Sequence, residues 1–256
     1  MVRPMTRALI TGATAGIGHG FADELARRGR DLVLVARDAE RLASVSRDLE
    51  SRHGVRVETL VADLSSRDGM QTVADRLASA EAPVDLLVNN AGSGLPDWFG
   101  TTDVAAEERQ LDLLVRAPLV LMDAALKSMT PRQNGAIINV ASLAAFTPRG
   151  TYSASKAYLV NLSQWADLQY SPGGVRVMAL CPGFVRTEFH ERGQMDMSGI
   201  KPWMWLSVES VVHDALADLE RGRAVSIPAR RYKILAAFAR HAPAPIVARQ
   251  ARRGRE

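Results

Sequence analysis

The chain has 256 residues, 47% of them hydrophobic, enough to bury a large core and near the upper size of one undivided domain, so one domain over 1–256 is expected. The net charge of +4 gathers toward the C-terminus, and no stripe of basic and aromatic residues runs through the body, which excludes a dedicated nucleic-acid binder. Cys181 is the only cysteine and the five histidines are scattered, which excludes a disulfide framework and leaves no metal-site spacing. The first apolar run begins at Ala8, too early for a secretory leader, and no 18 apolar residues stand in a row. A cytoplasmic protein without an integral membrane segment is expected.

In chain order, apolar β-branched runs alternate with helical patterns. "RALIT" is followed by "FADELARRG", "DLVLVAR" by "AERLASVSRDLESRHG", and "VRVETLVADL" and "VDLLVNN" by apolar helical stretches. "GAIINVAS" precedes the helix that opens "GTYSASK", "VRVMALCP" precedes "SVESVVHDALADLERG", and "RAVSIP" comes last. The runs read as strands buried on both faces and the 3–4 spacing as covering helices. Strict alternation predicts an α/β, Rossmann-like, doubly wound parallel sheet of about seven strands with helices on both faces.

Between the first strand and its helix stands T-G-A-T-A-G-I-G, residues 11–18. Gly12 permits a tight turn, Gly16 lets the backbone approach a phosphate and Gly18 lets helix and strand pack closely. The amides around Thr14 and Ile17, with the helix N-terminus, then face an anion. At the end of the second strand an acidic residue would bind the ribose 2′-hydroxyl of NAD, but Ala36 stands there and Arg37 follows. NADP(H) is therefore favoured, with NAD(H) possible; Arg37 as a solvated charge, and Asp38 as the cap of the next helix, is the plainer alternative.

With TGxxxGxG after the first strand, "NNAG" at 89–92 and Tyr-x-x-x-Lys at 152–156, the sequence resembles the short-chain dehydrogenase/reductase family from about Ala8 to Thr187. The resemblance implies that Asp63 and Leu64 meet the adenine and that Asn90, Ala91 and Gly92 line the cofactor cleft. By the same resemblance Pro182, Gly183, Val185 and Thr187 hold the nicotinamide carboxamide, Ser142 binds the substrate carbonyl, Tyr152 is the acid/base, and Lys156 is its partner and holds the nicotinamide ribose. A cation one helical turn from Tyr152 is expected to favour the ionised phenol, a preference worth roughly 3 to 4 kcal/mol. The family also implies a small-molecule alcohol or carbonyl substrate, and a homodimer or homotetramer formed through the helices near 102–129 and 151–171.

Two departures stand out. The family's proton-relay asparagine falls on Leu114, which can neither donate nor accept. The ten-residue interval from Ser142 to Tyr152 is shorter than the family's, which would either reshape the substrate mouth or displace Ser142. Beyond these, residues 188–206, rich in Trp and Met, form a candidate lid for a bulky apolar or 3-oxoacyl substrate. The tail at 230–256 reads as a helix packed on the domain or a partner subunit, or as a membrane-surface element with Ile234, Leu235 and Phe238 on one face and cations opposite. Competing functions are a steroid- or sugar-directed dehydrogenase and a catalytically impaired dinucleotide-binding regulator.

Overall fold

A computed structural model describes residues 6–97, 99–193 and 197–241. In chain order the elements are β1 Arg7–Thr11, α1 Gly16–Arg27, β2 Asp31–Ala36, α2 Ala39–His53, β3 Val57–Val61, α3 Arg67–Ala78 and β4 Leu86–Asn89. Then come α4 Val104–Leu111, a π-helical turn Asp112–Arg116, α5 Ala117–Met129, β5 Gly135–Val140, α6 Gly150–Tyr170 and β6 Val175–Leu180. The short α7 Phe189–Arg192, α8 Val208–Glu220, β7 Val225–Ser226 and α9 Arg230–His241 complete the described chain.

All seven strands are parallel, in the order β3-β2-β1-β4-β5-β6-β7. Alternate residues feed two cores: Ala8, Ile10, Leu32, Leu34, Ala136 and Ile138 pack toward α1, α2 and α8, whereas Leu9, Val33, Val35 and Ile137 pack toward α3 and α5. Burial on both sides is why these strands read as unbroken apolar runs. β3 departs from that expectation. It pairs only with β2, and Glu58, Thr59 and Val61 are exposed, because an edge strand has one neighbour and little cover.

The predicted long helix at 102–129 is interrupted by the π turn. A buried polar ladder then locks α6 to the sheet: Asn89 Nδ2 donates to Asn139 Oδ1 (2.9 Å), Asn139 Nδ2 to Ser163 Oγ (2.9 Å), and Ser163 Oγ to Leu159 O (2.6 Å). Satisfied polar groups in an apolar interior tolerate little displacement, so this ladder fixes where α6 presents its first turns. The strand order reverses between β1 and β4, and the crevice above their C-terminal ends is where such sheets bind ligands.

Candidate active site

On one wall of that crevice, Gly12 (φ 65°) and Gly16 (φ 54°) take left-handed backbone that favours glycine. A Cβ on Gly18 would stand 2.3 Å from Gly12 O and 2.4 Å from Asn90 Nδ2. The Asn90 side chain donates to Thr11 O (2.9 Å) and Gly12 O (3.2 Å), and Thr11 Oγ1 accepts the amides of Asn90 and Ala91 (both 2.9 Å). Asn90 therefore braces the glycine loop. Ala15 offers no side-chain cap to α1, which leaves the first-turn amides around Ile17 to face the groove.

At the far end, Arg37 is exposed just past β2, and Asp38 caps α2 by accepting from Arg41 N (2.9 Å). Asp63 faces Arg37 across the ends of β2 and β3. Desolvation alone would raise the Asp63 carboxyl, but hydrogen bonds from Ser65 and the Arg37 charge hold it below its ordinary value. The Leu64 side chain belongs to the core, so only its backbone is available to a ligand.

Opposite, Ser142 caps a 3₁₀ turn at Leu143–Phe146, accepting from Ala144 N (3.1 Å), and hydrogen-bonds the Tyr152 side chain. The short interval does not displace Ser142: Gly150, with φ 78°, starts α6 directly and sets Tyr152 in its first turn. Lys156 is 5% exposed, donates from Nζ to Val140 O (2.8 Å) and lies 5.7 Å from the centre of the Tyr152 ring.

The expected depression of the Tyr152 pKa is corrected by this geometry. Burial pushes the phenol up to about 12, and only the Ser142 hydrogen bond opposes it. Lys156 gives no relief, because its ammonium is spent on a carbonyl and sits over the ring. Burial also pulls Lys156 down, to about 8. For both members of this buried pair desolvation outweighs the favourable interactions.

Leu114 sits at the centre of the π turn, where the resemblance placed the missing asparagine. Its Cδ2 lies 3.2 Å from the position a Cβ on Gly92 would take, and Lys156 Nζ lies 4.0 Å from the same point. Leu114 and Lys156 thus converge on Gly92. An apolar side chain fills the place beside the lysine, within a helical turn whose carbonyls are out of α register.

The segment after β6 roofs the site. Gly16 would meet Thr187 Cγ2 at 3.0 Å if it carried a Cβ, so Thr187 lies over the glycine loop. Val185 bridges to Leu206, and Leu143 N donates to Pro182 O (3.0 Å), joining this segment to the Ser142 turn. Within the 188–206 lid, Phe189 stands 6.2 Å from the Tyr152 ring, and His190 packs on Phe189 (5.5 Å), Trp205 (5.4 Å) and Phe184 (6.3 Å). His190 Nδ1 is buried without a partner among the described residues, and burial lowers its pKa. Trp205 joins this cluster; Trp203 is exposed, and Met195 lies outside the described residues.

Tyr232 escaped the sequence reading. It lies in the tail, yet its ring covers Gly183, where a Cβ would come within 2.2 Å of it. Its hydroxyl accepts from Phe184 N (3.3 Å) and donates to Met204 O (2.5 Å), which ties the segment leading into the lid to the lid's far end. The available signal was an aromatic residue with a polar tip inside a basic run, and only the packing of α9 gives it meaning.

The cradle fits a dinucleotide: Gly18 admits no Cβ and the α1 N-terminus is uncapped. Residues 6–197 match the family model described as short chain dehydrogenase. A short-chain dehydrogenase from Sphingobium yanoikuyae, solved in complex with NADPH, is 35% identical with a TM-score of 0.84, covering 91% of this chain and 92% of its own. The bulky-bulky ketone specific alcohol dehydrogenase of Comamonas testosteroni is 30% identical with a TM-score of 0.80 and 92% of both chains covered. The very-long-chain 3-oxoacyl-CoA reductase-B of Danio rerio is 34% identical over 188 residues, 71% of this chain and 60% of that relative's length. A parallel seven-stranded sheet with a glycine loop and a Ser, Tyr and Lys cluster at its switch point defines a nicotinamide-dependent oxidoreductase of alcohol and carbonyl groups. The chain belongs to the short-chain dehydrogenase family.

Proposed function

We propose that the protein is an NADPH-dependent reductase of a bulky apolar ketone or 3-oxoacyl group, reversible as an alcohol dehydrogenase. The convergence of Ser142 on Tyr152, with Lys156 buried beneath, carries this reading. The amides of Gly12, Thr14, Gly16, Ile17 and Gly18 would hold the diphosphate, and Arg37 the 2′-phosphate. Asp63 and Leu64 would meet the adenine, Asn90 to Gly92 would line the cleft, and Pro182, Gly183, Val185 and Thr187 would hold the nicotinamide. When bound, the nicotinamide supplies or accepts hydride at the carbonyl carbon.

The chain's own residues do the rest. Ser142 Oγ and Tyr152 OH hold the carbonyl oxygen, and Tyr152, protonated at neutral pH, gives its proton to that oxygen. Lys156 keeps a positive charge below about pH 8 and would hold the nicotinamide ribose. Phe184, Phe189, His190 and Trp205 exclude water and favour a large apolar substituent. Steroid-shaped ketones fit the same mouth better than sugars, because its walls are aromatic.

The exposed Leu111 and Leu119, on the α4 to α5 stretch, and Trp165 and Leu168 of α6 support a homo-oligomer formed through these helices. The single buried cysteine fits a cytoplasmic setting. Calorimetry with NADPH and NADH separately tests the cofactor reading. NADPH is expected to bind about 10-fold or more tightly than NADH, and Arg37→Ala to erase most of that preference. Equal affinities would remove Arg37 as the phosphate reader, and binding of neither cofactor would leave only a dinucleotide fold. Leu114 motivates the second reading, a catalytically impaired regulator, which Tyr152→Phe separates from an enzyme.

A further inference from the structure

α9 carries a face that the active site does not use. α9 packs on the protein through Tyr232 and Ala236, which are buried one turn apart. Ile234, Leu235 and Phe238, read from the sequence as one face, are instead 72%, 43% and 54% exposed, so the subunit does not cover them. Arg230, Arg231 and Lys233 are also exposed. At 100° per residue, Lys233 lies opposite the apolar residues, as the sequence predicts, whereas Arg230 borders them and Arg231 falls among them one turn nearer the N-terminus.

Charge is segregated in the same direction. Residues 230–256 hold eight of the 32 Lys and Arg and one of the 28 Asp and Glu, so they carry +7 and residues 1–229 carry −3. An apolar ridge with Arg230 and Arg231 at its N-terminal end, in a sequence that continues with further arginines, matches a surface whose outer layer is anionic and whose interior is hydrocarbon.

We propose that α9 docks this enzyme peripherally on an anionic lipid surface, with Ile234, Leu235 and Phe238 entering the headgroup boundary. Two α9 helices facing each other would bring two +7 segments together, and three side chains offer far less than the roughly 800 Å² per partner of a stable protein interface. A nucleic acid would satisfy the charge but not the apolar residues. No helix among the described residues is long and apolar enough to cross a membrane, so the contact is superficial. Tyr232 ties α9 to the lid, so the docked helix is joined to the segment over the active site. The inference does not depend on the substrate reading.

The full chain is sedimented with vesicles of about three parts phosphatidylcholine to one part phosphatidylglycerol, and with phosphatidylcholine alone. Binding is expected to the anionic vesicles at least about 10-fold above the neutral ones, with release in about 0.5 M NaCl, where charge is screened within about 4 Å. Ile234→Ser with Phe238→Ser leaves the charge untouched and both residues are exposed; it is expected to bind about 10-fold less while keeping its Tm and its NADPH affinity. Three results would overturn the proposal. One is wild-type protein that ignores anionic vesicles. Another is a double variant that binds as well as wild type, which means charge alone, as for a nucleic acid. The third is a double variant whose only change is a smaller assembly in light scattering, which assigns the face to a second copy.

Discussion

Arg41, in the first turn of α2, and Glu188, at the root of the lid, form a two-pronged ion pair, Nη2 to Oε1 at 2.7 Å and Nη1 to Oε2 at 3.2 Å. Arg192 adds a second hydrogen bond to Glu188, and the Arg41 pair is the main reason the Glu188 carboxyl sits below its usual range. The wall beside Arg37 is thereby strapped to the segment over the glycine loop. Both partners are about half exposed, so the pair contributes under about 1 kcal/mol to stability. Glu188→Gln is expected to leave Tm nearly unchanged while severalfold faster trypsin cleavage appears at Arg192 and Lys201 in the cofactor-free protein. Unchanged cleavage rates would show that the aromatic cluster alone holds the lid.

Tyr152→Phe removes the proton donor and the hydroxyl that meets Ser142, but leaves the glycine loop intact. Ketone reduction is expected to fall by about 10² to 10⁴, with NADPH affinity within about threefold of wild type. Steady-state kinetics beside calorimetry reads both quantities. Turnover that survives the substitution would remove Tyr152 as the proton donor, and a wild-type protein that binds NADPH without turnover would point to the regulator reading.

Lys156 connects the site to stability. Its folded pKa of about 8 lies below the ordinary 10.5, so its buried charge opposes folding fully below about pH 8. Between about pH 8 and 10.5 the unfolded chain binds more protons than the folded one, and stability rises with pH. Lys156→Met abolishes that dependence. The stability of the Met variant minus that of wild type is expected to fall by roughly 2 kcal/mol from about pH 7.5 to 9.5, read by urea unfolding without cofactor. A difference that stays flat would mean that Lys156 is better solvated than its 5% exposure implies.

Leu114→Asn returns a polar group beside Gly92 and Lys156. Turnover is expected to rise severalfold if proton resupply limits the reaction, at a stability cost of about 1 to 3 kcal/mol for burying an amide. Turnover measured in H₂O and D₂O checks this. A rate no higher than wild type in a folded variant would place the limit elsewhere.

Gly18→Ala forces a methyl group to within 2.4 Å of Gly12 O and Asn90 Nδ2. Thermal unfolding is expected to register a loss of about 1 to 3 kcal/mol, and calorimetry a loss of NADPH binding of about 10-fold or more. An alanine variant with wild-type affinity would show that the loop yields without disturbing its amides.

By itself the sequence determined the sheet and the position of its crevice. A run such as "DLVLVA" has no polar side after Asp31, and that composition suits only a strand covered on both faces. TGxxxGxG in a strand-to-helix turn restricts the backbone whatever surrounds it, so the cradle was also legible. Tertiary structure decided what depends on distance and desolvation. The spacing of Tyr152 and Lys156 predicted a stabilised phenolate, but burial and the Val140 carbonyl reversed that balance. β3 had the composition of an inner strand and became an edge, because position in a sheet is set by the order of packing. Tyr232 acquired its role only when α9 laid its ring on Gly183, and Ile234 and Phe238 became a surface only because Tyr232 and Ala236 took the inner face. Periodicity and backbone restriction are local and survive in the sequence; solvation, register between distant segments and the choice of which face is covered belong to the assembled fold.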